Sequence, residues 1–167
     1  MQPHVSGHSV KNMPELPEVE TIVRGLRPTL LGQRIVHVEV REPRLRWRVS
    51  DDLPQRLTGL TIKSVKRRAK YLVVDAGPES LIVHLGMSGR LLVVEATSPP
   101  NKHDHVDIVL GSGLAVRMRD PRRFGSLHVS EKPENHPLLS NLGPEPLGSR
   151  FDDNYLFAVS RQRTVAI

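Results

Sequence analysis

The chain of 167 residues contains no cysteine, which excludes a disulfide framework and any cysteine-ligated metal site within these residues. It has no apolar run of the roughly 18 to 20 residues that a membrane span needs. Its first twelve residues lack the apolar core of a secretory signal. Together these absences point to a protein without a membrane partner, working in the cytoplasm. No repeat or low-complexity tract stands out. What remains is 38% hydrophobic residues, enough to close a modest core in one ordinary domain or one domain plus a fragment. Lys and Arg number 24 against 18 Asp and Glu, a net charge of +6, and this balance favours polyanions such as nucleic acid or an acidic membrane surface.

Val19, Ile22, Val23, Leu26 and Leu30 recur at three- and four-residue intervals behind Pro17, which predicts an amphipathic helix over Pro17–Leu30. Short alternating or β-branched segments follow, separated by turn residues. They predict strands at Ile35–Val40, Thr61–Lys66, Tyr71–Asp75, Leu81–Leu85, Arg90–Val94, His105–Leu110, Leu114–Arg119 and Ser126–Val129, with a short helix over Asp51–Leu57. Eight strands with hairpin-sized gaps give an α+β protein dominated by an eight-stranded antiparallel β-sandwich flanked by α-helices. After Pro133 the texture changes, with Pro137, Pro144 and Pro146 interrupting the chain. Asp152 or Asp153 then caps a helix holding Tyr155, Leu156, Val159 and Arg163. Its apolar stripe has nothing evident to pack against, which suggests the start of a truncated helical domain, the alternative being that the helix docks back on the sheet. The expected division is a leader or mis-assigned start at 1–12, the sandwich at 13–133, and linker plus first helix at 134–167.

Several segments carry chemistry. Pro14 follows an internal methionine, Met13. A proline at a chain terminus is a secondary amine able to attack an aldehyde-like carbon and form an iminium, whereas inside a chain it is an inert amide. Lys70 ends the basic run Lys66-Arg67-Arg68-Ala69-Lys70, which reads either as a solvated edge that discourages strand pairing or as a phosphate-binding edge with one lysine turned inward. His103 and His105 are two apart, hence expected on one strand face. They suggest a weak metal site, a hydrogen-bonded turn, or a phosphate grip shared with Lys102. Asp120-Pro121-Arg122-Arg123-Phe124-Gly125 is either an exposed hairpin tip with Asp120 satisfying the arginines or a rigid wedge able to replace an extruded base. His84-Leu85-Gly86-Met87-Ser88-Gly89 is a second turn with an exposed apolar side chain, Met87.

Met13-Pro14-Glu15-Leu16-Pro17-Glu18-Val19-Glu20-Thr21, Arg67-Arg68-Ala69-Lys70-Tyr71-Leu72, His84 to Gly89, Lys102-His103-Asp104-His105-Val106-Asp107, Asp120 to Gly125 and Leu142-Gly143-Pro144-Glu145-Pro146-Leu147 occur in that order. This series closely resembles the bacterial formamidopyrimidine-DNA glycosylases from Met13 to about Arg163, covering their N-terminal sandwich and the opening of their helical domain. The resemblance implies a base-excision repair enzyme acting as a monomer on damaged double-stranded DNA. It would remove oxidised purines such as 8-oxoguanine and formamidopyrimidine, then cut the abasic site by β,δ-elimination. On matching positions it implies Pro14 as Schiff-base nucleophile, Glu15 as proton shuttle, Glu18 as support, and Lys70 as second proton donor and phosphate contact. His103, Arg122 and Arg163 would bind DNA, and Met87, Arg122 and Phe124 would fill the gap left by the flipped nucleotide.

The family's clamp, its four-cysteine zinc finger and an arginine on that finger have no counterpart here, so no cofactor is expected in these residues. Losing such phosphate contacts weakens DNA binding steeply with salt. Two further possibilities stay open: a non-catalytic DNA-binding remnant, and a metal-dependent hydrolase using His103 and His105.

Overall fold

Alternation of apolar and polar side chains drives this chain into paired strands. In a computed structural model, which describes residues 13–161, eight strands form two four-stranded antiparallel sheets. They are β1 (Ile35–Val40), β2 (Ser64–Arg68), β3 (Tyr71–Asp75), β4 (Ser80–His84), β5 (Arg90–Glu95), β6 (Asp104–Leu110), β7 (Leu114–Arg119) and β8 (Ser126–Ser130). One sheet has the order β1-β6-β7-β5 and the other β2-β3-β4-β8. Inward residues of both sheets, among them Ile35, Val106, Leu110 and Met118 from one and Leu72, Leu81, Val83 and Leu127 from the other, make a single buried core. The expected α+β sandwich is the observed fold.

Helix α1 (Leu16–Leu30) buries Val19, Val23, Leu26 and Leu30, the face its spacing predicts, and packs on β2 and β3. Pro17 costs nothing in the first turn, where amide hydrogens lack helical partners anyway. Helix α2 (Leu53–Leu57) buries Leu53 and Leu57 and is shorter than expected, because residues 51 and 52 form a turn. The strand expected at Thr61–Lys66 lies at Ser64–Arg68, since Thr61 makes only an isolated bridge to Arg34.

The chain divides into two compact units between Pro133 and Glu134. A 3₁₀ turn (Pro133–Asn135) spans this division, and the second unit holds two helices, α3 (Pro137–Ser140) and α4 (Asp153–Ser160). The turn and α3 were not expected, being too short for periodicity to register. Asp152 rather than Asp153 caps α4, its carboxylate accepting from the Tyr155 amide at 2.7 Å. No α4 residue is buried, and Leu156, Phe157 and Val159 stand exposed. Arg163 and residues 1–12 lie outside the described residues. Among the described residues no helix is long and apolar enough to cross a membrane.

Candidate functional site

Glu15 occupies the position that precedes α1, with extended backbone, yet its carboxylate does not cap the helix. It reaches Lys70 instead, at 2.6 Å. Lys70 stands in the two-residue turn between β2 and β3, preceded by Ala69 with φ +49°. That left-handed conformation is unfavourable for any residue with a Cβ, so the hairpin stores local strain where it aims the lysine. Pro14, half-buried, adjoins the Glu15–Lys70 pair through the chain itself. Glu18 is exposed in the first turn of α1, where a negative charge complements the helix dipole.

Tyr71 pairs across the ladder with His84, their rings 4.8 Å apart, and His84 pairs with Ser126. One row at the end of this sheet therefore runs from the lysine to the turns beyond β4 and before β8. Burial, and then the positive charges of Arg46 and Lys70, push the His84 imidazole below its usual range. Its Nδ1 accepts from the Gly86 amide at 3.1 Å, which leaves Nε2 to carry the proton of the neutral ring. Sequence reasoning passed over His84, although it stands in the same motif as Met87.

The two turns are bound into one surface. Asp120 is fully buried; its carboxylate accepts from the Ser88 hydroxyl at 2.5 Å and from the Gly125 amide at 2.7 Å. The Arg122 amide donates to the same Ser88 oxygen at 3.2 Å. Gly86 has φ +60°, and a Cβ there would lie 2.4 Å from the Phe124 carbonyl, so only glycine permits the turns to touch. Outside this knot, Met87 and Phe124 are exposed at 36% and 41%, and the Arg122 guanidinium stacks on the Phe124 ring at 4.7 Å. Asp120 does not satisfy the arginines of an exposed tip: it points inward and ties loops together.

The backbone of Asp120 also holds the histidine segment. Its amide donates to the His103 carbonyl at 3.0 Å, and its carbonyl lies 2.8 Å from His105 Nε2. A bulge interrupts the β6–β7 register between Asp104 and Val106, and His103 precedes the strand, yet the two histidine rings remain neighbours. His105 is buried and His103 half-buried, with rings 6.5 Å apart. The His105 nitrogen is engaged by a carbonyl, and among the described residues no cluster of three potential ligands forms around this pair or elsewhere. The same bulge turns Asp104 and Asp107 toward one buried cation, Arg117, at 3.7 and 2.8 Å. Arg119 clasps Asp104 at 2.6 and 3.1 Å, and Arg117 donates to the Ser98 and Pro99 carbonyls at 2.8 and 3.2 Å. This network, which composition did not reveal, fixes the segment leading to His103.

Residues 13–127 match the profile of the formamidopyrimidine-DNA glycosylase N-terminal domain. The chain belongs to the formamidopyrimidine-DNA glycosylase family. It is 56% identical over 155 residues to a formamidopyrimidine-DNA glycosylase of Stutzerimonas stutzeri, covering 93% of this chain and 57% of that protein. A counterpart from Thioalkalivibrio sulfidiphilus is 55% identical, with 93% and 58% covered. Among solved structures, the Lactococcus lactis glycosylase bound non-covalently to DNA containing an abasic site superposes with a TM-score of 0.80 at 33% identity, over 89% of this chain and 58% of that one. The chain thus spans somewhat over half the length of these glycosylases.

Proposed function

We propose that this glycosylase-family chain carries the catalytic part of a base-excision enzyme that removes oxidised purines from cytoplasmic duplex DNA and then cleaves the abasic strand. The observation carrying this reading is the Glu15–Lys70 contact of 2.6 Å immediately beside Pro14. Support comes from the Lactococcus lactis relatives, whose structures hold abasic-site DNA and DNA containing a formamidopyrimidine lesion.

The chemistry requires a chain beginning at Pro14. Its neutral amine attacks C1′ of the damaged nucleotide, forming the N–C1′ bond as the glycosidic bond breaks and the base departs with the electron pair. The proton that the amine sheds on forming this bond passes to the Glu15 carboxylate, which gives it to the ring oxygen as the C1′–O4′ bond opens, leaving an iminium at C1′. Removal of a C2′ proton then expels the 3′ phosphate, and a second elimination expels the 5′ phosphate. Lys70 serves as a further proton donor and holds a phosphate. His103 and Arg122 bind the DNA backbone. Met87, Arg122 and Phe124 fill the gap left by the extruded nucleotide, offsetting an unstacking cost of a few kcal/mol.

Borohydride reduction with abasic-site duplex tests this reading. A covalent adduct whose peptide maps to an amino-terminal Pro14 is expected. Retarded DNA in a gel shift with no adduct, from chain whose mass shows Pro14 to be amino-terminal, would instead establish a non-catalytic DNA-binding protein. That second reading draws on the portion of the full-length relatives that this chain does not span.

A further inference from the structure

The connection after β1 contains Arg44, Arg46 and Arg48 around a Trp47 that is 42% exposed. Two of the three arginines are neutralised within the protein. Arg44 clasps Glu42 at 2.8 and 2.7 Å, and Arg48 meets Asp51 at 2.8 Å. Arg46 has no carboxylate partner among the described residues. Its guanidinium lies over the Trp47 ring at 4.8 Å, and that ring meets His128 edge-on at 5.7 Å. The Arg46 amide donates to the Gly125 carbonyl at 3.1 Å, one residue beyond Phe124. Its charge, with that of Lys70, is felt at His84.

A cation left without an acid, braced on an aromatic face and bonded to the wedge turn, suits an external anion on the same side as that turn. We infer that Arg46 and Trp47 are a further DNA-contacting element, Arg46 meeting a backbone phosphate and the exposed face of Trp47 packing on the adjoining sugar and base edge. This assignment rests on the DNA-repair reading above. It extends the contact surface from the wedge turn to the segment after β1, which none of the residues marked from the sequence includes.

Trp47 is the single tryptophan of the chain, so its emission reports on this surface alone. The full chain is titrated with end-labelled duplex carrying a stable abasic-site analogue, following label anisotropy and tryptophan emission in parallel. Emission should change with the same midpoint as anisotropy. Arg46→Gln should weaken binding several-fold and flatten the slope of log affinity against log salt by about one, the loss of one phosphate contact. Arg46→Lys should restore most of that slope. Lys132→Gln removes the same charge beyond the Ser130 end of β8, opposite the end where Ser126 pairs with His84, and should move the slope by less than half as much. A normal anisotropy change with silent tryptophan emission, or an Arg46→Gln slope no different from that of Lys132→Gln, overturns this assignment alone. Absence of any anisotropy change at low salt overturns the DNA-binding reading and this assignment with it.

Discussion

The Ser88 hydroxyl donates to the buried Asp120 carboxylate at 2.5 Å, and this bond helps join the turn that carries Met87 to the turn that carries Arg122 and Phe124. Each turn alone is a short exposed loop. Joined, they present the aromatic, the thioether and the guanidinium as one rigid ridge, which would keep down the ordering cost of the proposed insertion into DNA.

Asp120→Asn replaces one acceptor oxygen with an amide that must face either the Gly125 N–H or the Ser88 hydroxyl. The Gly125 donor has no second acceptor there, so a loss of about 1 to 3 kcal/mol is expected in urea unfolding. Ser88→Ala should cost about 1 kcal/mol, and the double variant less than the sum, because the two share one bond. Additive losses would show that the turns are not coupled through this pair.

Two alanine substitutions should move stability in opposite directions. Gly86→Ala places a Cβ 2.4 Å from the Phe124 carbonyl at a φ of +60°, and should destabilise by about 2 kcal/mol or more. Gly25 lies within α1 with nothing within 4 Å of its absent Cβ, so Gly25→Ala should stabilise by about 0.5 to 1 kcal/mol. Thermal unfolding of the two variants checks both signs.

The clasp of Arg119 holds the Asp104 carboxyl down at about 2 against an ordinary 3.8, helped by the Asn101 amide and opposed by burial. A carboxyl depressed in the folded state binds its proton more readily once unfolded. Its contribution is therefore complete well above pH 3.8 and is lost as pH falls from there through 2. The amount is on the order of 2 kcal/mol. Asp104→Asn should lower stability at pH 6 and flatten the acid limb of the stability curve; an unchanged limb would show that this ion pair does not contribute to acid unfolding.

Local periodicity carried much of this fold. The face of α1, the sandwich and most strand positions follow from spacing and β-branched runs, even though β4, β6 and β7 are buried on both faces. Thr61 was misassigned because a β-branched polar–apolar segment does not reveal whether its backbone finds a full ladder or a single bridge. The engagement of His105 by the Asp120 carbonyl was not legible, because a bulge inserts a residue without a composition signal. Glu15 and Lys70, 55 positions apart, were brought together only by resemblance. No local pattern links a helix start to a hairpin tip; the packing of α1 on β2 and β3 does. Asp120 carried a charge that suggested surface, and its burial depends on three loops whose meeting is a property of the whole sheet.

The Glu15–Lys70 pair separates catalysis from stability. Both side chains are partly exposed, at 53% and 34%, and such ion pairs contribute at most about 1 kcal/mol to folding. Glu15→Gln and Lys70→Met should therefore leave urea midpoints nearly unchanged. On chain beginning at Pro14, Glu15→Gln should cut the rate of borohydride trapping on abasic-site duplex by roughly 10²- to 10⁴-fold, the range for removing a positioned proton-transfer group. Lys70→Met should reduce trapping and also weaken binding at low salt, because it removes both a donor and a phosphate contact. Preserved stability with lost trapping places the pair in the chemistry. If trapping survives Glu15→Gln at full rate, the carboxylate serves only to orient Lys70, and the proton for ring opening must come from another group.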